Sequence, residues 1–101
     1  MTKVFEAEAG PNVSVIVPNL EGELMLEECL RSVVTSVGQW TYEVIIVDNG
    51  SSDRSVDVIG KVMPKARIVR NRENRGFAEA CNQGAEASRG EFFLFLNNFG
   101  I

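Results

Sequence analysis

The sequence predicts an α/β protein with an open parallel sheet in βαβαβαβ order. Three observations carry this: four short apolar runs, an amphipathic stretch between each pair of them, and a polar or glycine-rich segment directly after each run. The runs are VSVIVP (13–18), EVIIVD (43–48), ARIVR (66–70) and EFFLFLN (91–97). Their continuous apolar character marks strands covered on both faces, as crossover helices cover a parallel sheet. Strands joined through such helices run parallel, because tight hairpins connect only antiparallel neighbours.

Each helix has its own signature. In the first, Leu26, Leu30, Val33 and Val37 recur at helical spacing, with Cys29 and Val34 alongside, and Glu23, Glu27, Glu28 and Arg31 take the wet face. The second opens after Ser51-Ser52-Asp53, where a hydroxyl or carboxylate can cap free backbone N–H groups. It turns Val56, Ile59 and Met63 inward and is closed by Pro64. The third runs from about Gly76 to Ser88. Phe77, Cys81 and Ala85 are expected along one side, small Ala80, Gly84 and Ala87 permit close approach to a sheet, and Arg89-Gly90 supplies the stop. Asn82, within this apolar pattern, is expected to be a buried amide bonded to neighbouring backbone.

A chain of 101 residues can bury one core. Ten basic against fourteen acidic residues give a net charge of −4 with no dense Lys/Arg cluster, which excludes the electrostatic footprint of a nucleic-acid partner. Without histidine the usual zinc constellations fail, and the two distant cysteines, Cys29 and Cys81, read as reduced core thiols of a cytoplasmic protein. The longest apolar run, Phe92 to Leu96, is far short of the roughly 20 residues of a transmembrane helix. Residues 1–12 lack the apolar core of a signal peptide and read as an N-terminal extension, with the folded domain expected over 13–101.

In open α/β sheets ligands bind outside the carboxyl ends of the strands. The segments there are PNLEG (18–22), DNGSSD (48–53), NRENRG (71–76) and NNF (97–99). A dinucleotide fingerprint is absent, since PNLEGE has one glycine. A P-loop is absent too, since Gly60-Lys61 is followed by Val62 within a helix. A ligand here must be held by carboxylate and amide side chains, with a bridging cation on its phosphates left open.

Taken together, VSVIVPNLEGELMLEECLRSV, EVIIVDNGSSDRSVDVI and NRENRGFAEACNQGAEASRGEFFLFLNN resemble the amino-terminal half of the family 2 glycosyltransferases over residues 12 to 98. Their Rossmann-like fold is called GT-A. The NLEG and VDNGS forms are most similar to the rhamnosyltransferase-like branch. The resemblance implies a nucleotide-sugar donor, UDP- or dTDP-linked, whose sugar is passed to a polysaccharide or other acceptor. It implies that Pro18, Asn19, Leu20 and Glu21 lie along the base, Leu20 standing where an aromatic often stacks. It implies pyrimidine recognition by Asp48 and Asn49, whose oxygens can accept the base N3–H. Arg75, at the start of the third helix, and Asn98 would face the diphosphate side.

Plainer roles stay open beside these. Asp48 in DNG also suits an Asx turn, Glu21 a turn before Gly22, and Arg75 an ordinary exposed position, while Asp53 reads as a helix cap. In the family the last strand delivers an Asp that binds a divalent cation, Mn or Mg, clamping the donor diphosphate. Phe99 stands at that position, so tight metal binding by this chain is not expected. The part carrying acceptor site and catalytic base has no counterpart here, so a truncated half-domain without transfer activity of its own is expected. Its rivals are a non-catalytic nucleotide- or protein-binding module and an inactive remnant. A sheet cut after its fourth strand leaves an open edge, which predicts a homo-oligomer.

Overall fold

The computed structural model describes residues 10–99. In chain order these form β1 (Val13–Leu20), α1 (Glu23–Val37), β2 (Tyr42–Asp48), α2 (Ser55–Val62), β3 (Arg67–Arg70), α3 (Phe77–Ala87), β4 (Phe92–Phe95) and β5 (Asn98–Phe99). Every pairing is parallel. The sheet order is β3-β2-β1-β4, with β5 resuming the ladder on β1 beyond β4.

The two faces of β1 divide the core. Val15 and Val17 pack with Val44, Ile46, Leu26, Leu30, Val33, Val37 and Ile59, under α1 and α2. Ile16 points the other way, toward α3, where Ala80 packs with Ile45 and Val47. A Cβ on Gly84 would overlap the Ile16 Cγ2 methyl, so glycine there lets α3 seat directly on the central strand. At the amino ends of the strands Glu43 ties three segments together. Its carboxylate accepts from Ser14 Oγ at 2.6 Å, from the Arg89 N–H at 2.6 Å and from the Arg67 guanidinium at 3.1 Å. Burial pushes the Glu43 carboxyl up, but these donors and the two guanidinium charges outweigh it and hold the group below its ordinary range.

Several expectations are corrected. β1 runs to Leu20, so Pro18, Asn19 and Leu20 are strand residues and not loop residues. The run expected as one strand over 91–97 is split into β4 and β5. Even-numbered residues of β1 bond toward β4, as the Leu96 N–H to Ile16 C=O bond of 2.9 Å shows, so position 18 is the one that should donate to Leu96 C=O. Pro18 has no N–H, and the ladder breaks there.

β3 and β4 are the sheet's edges and are largely exposed, with Ile68 36%, Phe92 54%, Phe93 48% and Phe95 45% accessible, where cover on both faces was expected. Val34 lies on the wet side of α1. The packed side of α3 is Ala80 and Gly84. Phe77 is half-exposed and Asn82 exposed, because the small residues and not the large ones face the sheet. The extension at 1–12 lies outside the described residues up to position 9. Asn12, by contrast, is tied to Thr41 through backbone and side chain.

Candidate functional site

Asp48, Asn19 and Asn98 stand side by side at the carboxyl ends of β2, β1 and β5, Asn19 being the register partner of each of the other two. All three are buried. Asn19 Nδ2 donates to Asp48 Oδ1 at 3.0 Å, and Asn98 Nδ2 donates to Asn19 Oδ1 at 2.7 Å and to the Gly22 carbonyl at 3.1 Å. Because a carboxylate only accepts, Asp48 fixes the orientation of both amides in turn. Asp48 Oδ2 takes one longer bond, 3.3 Å, from the Ser51 N–H three residues on, which spans the DNGS segment and is not the expected Asx turn, whose bond comes from two residues on.

The loops above this row are held by amides and hydroxyls. Asn49 is buried and uses its whole amide. Oδ1 accepts from Asn71 Nδ2 and the Arg75 N–H, both at 3.0 Å, and Nδ2 donates to Asn74 Oδ1 at 2.9 Å and the Gly76 carbonyl at 3.2 Å. Asn71 and Gln83 exchange a reciprocal amide pair at 2.8 and 2.9 Å. On the other side Glu21 sits at φ 49, its N–H donating to Ser51 Oγ and its carboxylate accepting from the Ser52 N–H at 2.7 Å. Glu21 thus locks the β1–α1 turn to the β2–α2 loop.

Between these loops, over the carboxyl ends of β2 and β3, lies a cleft of about 370 Å³ lined by Gly50, Ser51, Arg70, Asn71 and Arg72. Larger hollows, about 550 Å³ beside Trp40 and about 470 Å³ beside Tyr42 and Met63, lie toward the amino ends of the strands, where such sheets do not bind ligands. A further hollow of about 410 Å³ lies against α2 beside Glu23, Arg54 and Lys61, but the small cleft is the one that opens between the strand-end loops. Gly50 has φ +87, and a Cβ there would collide with the Glu73 backbone, so the cleft wall requires glycine.

The sequence-derived residues thus fall into three groups. Asp48, Asn19 and Asn98 meet in one hydrogen-bonded row. Pro18 and Leu20 are buried in the strand beneath it, and Glu21 and Asn49 brace loops. Arg75 stands apart, exposed, its guanidinium 3.4 Å from Glu79. Asn71, Asn74 and Gln83 were not singled out as bracing groups. The density of amides in NRENRG and NQG was the available signal.

Asp53 is a cap, as its position suggested, but it caps more than its own helix. Oδ1 accepts from the Ser55 N–H and hydroxyl, and Oδ2 from the Glu23 N–H at the start of α1.

The end of β5 does not fit a divalent cation. Asn98 turns amide hydrogens toward its neighbours, and the Phe99 ring stacks edge-on against Phe77 with centroids 5.6 Å apart. Among the described residues no three His, Cys, Asp or Glu side chains converge.

Residues 14–98 match the family described as Glycosyl transferase family 2. The chain belongs to that family. An uncharacterized glycosyltransferase of Haemophilus influenzae is 31% identical over 91 residues, covering 87% of this chain and 36% of its own length. Among solved structures, S. aureus TarS in complex with UDP-GlcNAc superposes with a TM-score of 0.76 at 27% identity, over 86% of this chain and 26% of that one. The mannosyltransferase PcManGT of Pyrobaculum calidifontis, in complex with GDP-Man and Mn2+, gives 0.74 at 26% identity, over 87% and 27%. These neighbours make the fold a GT-A glycosyltransferase fold, and the chain spans about a third of the length of the curated relative. No helix among the described residues is long and apolar enough to cross a membrane.

Proposed function

We propose that this family 2 glycosyltransferase chain binds the nucleotide of a pyrimidine-linked sugar, a UDP- or dTDP-sugar, at the carboxyl edge of its sheet. The sugar is a hexosyl or rhamnosyl group bound for a polysaccharide or other acceptor. The observation that carries the reading is Asp48, a carboxylate held by Asn19 beside a cleft at that edge that two arginines line. Oδ2 has only the long Ser51 bond and keeps acceptor capacity, but Asp48 is fully buried, so a base N3–H reaches it by displacing the Ser51 loop. The Arg70 and Arg72 side chains supply positive charge for a diphosphate, and Arg75 can join them at the cost of a half-exposed pair with Glu79, which is worth little.

In this reading Pro18, Asn19 and Leu20 form the floor under the base. Asn49 and Glu21 set the loop positions, and Asn98 keeps Asn19 in the orientation that Asp48 needs. At the end of β5 Asn98 and Phe99 give a divalent cation no charged oxygen. The 101 residues taken alone are proposed to bind donor without turnover. This is also where the reading of a nucleotide-binding module without catalysis has support, in the aromatic Phe99 at the strand end.

Calorimetric titration with UDP, dTDP, GDP and ADP tests the assignment. UDP and dTDP should bind more tightly than ADP, whose base has no ring N–H to offer Asp48. Asp48→Ala should weaken binding by about 1–3 kcal/mol. ADP binding equal to or tighter than UDP would overturn the reading, and GDP measures whether the cleft also admits a purine with a ring N–H.

A further inference from the structure

The loop between β3 and α3, residues 71–76, follows Arg70 and carries Arg72 and Arg75. Its backbone is anchored at the two ends. The Asn71 N–H donates to the Asp48 carbonyl at 2.9 Å, and the Gly76 carbonyl accepts from the Ala80 N–H at 3.1 Å. Between these anchors the loop is fixed by amide side chains: the Arg75 N–H donates to Asn49 Oδ1 at 3.0 Å and the Gly76 N–H to Asn74 Oδ1 at 2.9 Å.

Asn49 is the hub of this arrangement. The Arg75 N–H can only donate and the Gly76 carbonyl can only accept, so these two backbone groups fix which way the Asn49 amide points. Asn49 Oδ1 takes its second hydrogen from Asn71 Nδ2, whose other hydrogen goes to Gln83 Oε1 at 2.8 Å. Gln83 Nε2 returns a bond to Asn71 Oδ1 at 2.9 Å. Gln83 stands on α3 next to Gly84, where that helix seats on Ile16 of the central strand. The series of amides therefore starts on a helix that close packing holds in place and ends on the arginine-bearing loop.

From this we propose that Gln83 is a positioning residue for donor binding: through Asn71 and Asn49 it holds the 71–76 loop so that Arg72 and Arg75 stand with Arg70 toward the diphosphate. The proposal rests on the donor-binding reading and deepens it. Asn49, Asn71, Asn74 and Gln83 are all neutral, so they order the loop without drawing a guanidinium into an ion pair. Without the Gln83 pair Asn71 has one amide partner in place of two, and the loop must be ordered when the nucleotide binds, at a cost in affinity. The Asp48 carboxylate is held by Asn19 and Ser51, outside this series, so recognition of the base should be untouched.

Gln83→Met, of similar length and helix propensity, removes both bonds. Gln83 is half-buried, so the circular dichroism should stay α/β. The test is NMR titration of the 101-residue chain with UDP and with uridine, which also reads millimolar affinities. In the unaltered chain UDP should bind more tightly than uridine. In Gln83→Met the UDP affinity should fall about tenfold, as for one lost hydrogen bond to a charged group, with uridine affinity unchanged. Without ligand, the Arg75 and Gly76 amides should exchange faster in the variant. Without any variant, UDP and not uridine should slow those same amides.

A role confined to stability would lower the melting temperature and leave the UDP-to-uridine ratio as it was. That ratio unchanged in Gln83→Met, equal losses of UDP and uridine, or Arg75 and Gly76 exchange that neither the variant nor UDP alters would each overturn the positioning role while the donor reading stands. An unaltered chain that binds UDP no better than uridine overturns the diphosphate reading itself, and the positioning role with it.

Discussion

Glu23 and Asp53 cap each other's helices. The Glu23 N–H, first of α1, donates to Asp53 Oδ2 at 3.0 Å, and the Arg54 N–H just before α2 donates to Glu23 Oε1 at 3.0 Å. Thirty residues apart, each carboxylate satisfies a backbone donor that the other's helix leaves open. Asp53→Ala should therefore cost more than a single lost cap, about 1–2 kcal/mol in denaturant unfolding, and should fray the starts of both helices.

The same contacts set an acid limit. Burial alone would raise the Asp53 carboxyl, but the Ser55 hydroxyl and N–H and the Glu23 N–H lower it, and Glu43 is lowered likewise by its own donors. A depressed folded value means stability that is fully present above the ordinary carboxylate range and lost as pH falls through it. Thermal melts from pH 7 downward should stay flat until the ordinary values, 3.8 for Asp53 and 4.5 for Glu43, are approached, and then fall. In Asp53→Asn the fall should be shallower.

Two helical glycines should respond in opposite directions. In α3, Gly84→Ala drives a methyl into Ile16 and should destabilise by about 1–3 kcal/mol. In α2, Gly60 has open space around it, so Gly60→Ala should stabilise by about 0.5–1 kcal/mol through helix propensity. Paired urea titrations of the two variants check both signs.

The polar row makes a sharper case. Asn19→Asp would set a second buried carboxylate against Asp48 and leave Asn98 as the only amide in the row. Two carboxylates sharing a site cannot both ionise cheaply, so one must hold a proton. The variant should lose at least about 2 kcal/mol at pH 7 and recover part of it near pH 5, over a range where the parent chain stays flat. A uniform loss at both pH values would show that Asp48 and Asn19 are not coupled.

The order of elements was legible because Val13–Val17 and Val44–Val47 have nowhere to go but the middle of a sheet. The edges were less so. ARIVR and EFFLFLN carry the same apolar density as the central strands, and composition does not say which runs end with one neighbour. In α3 the large residues looked like the packing face, yet the steric demand of Ile16 selects the small one. The row Asp48–Asn19–Asn98 was legible only in part. Each residue could be placed at a strand end, but that the three share one register needs the pairing of β5 with β1, which Pro18 interrupts and so disguises.

The last prediction concerns Phe99. Its ring packs on Phe77, and the adjacent Asn98 spends its amide hydrogens on Asn19 and Gly22, so nothing at this strand end offers a charged oxygen to a cation. Hard divalent ions take oxygen ligands and keep water where carboxylates are lacking. Nucleotide affinity of the unaltered chain should thus be the same with and without manganese. Phe99→Asp places a carboxylate at the end of β5, one residue from the buried row, and should make binding manganese-dependent. The half-buried site loses the Phe77 contact, so a stability cost of about 1 kcal/mol accompanies the gain. Phe99→Asn, with similar size and no charge, should pay the same cost without gaining the dependence. Tight manganese binding by the unaltered chain at this edge would sink the reading of Phe99, and Asp48 with Asn98 would then be the place to look.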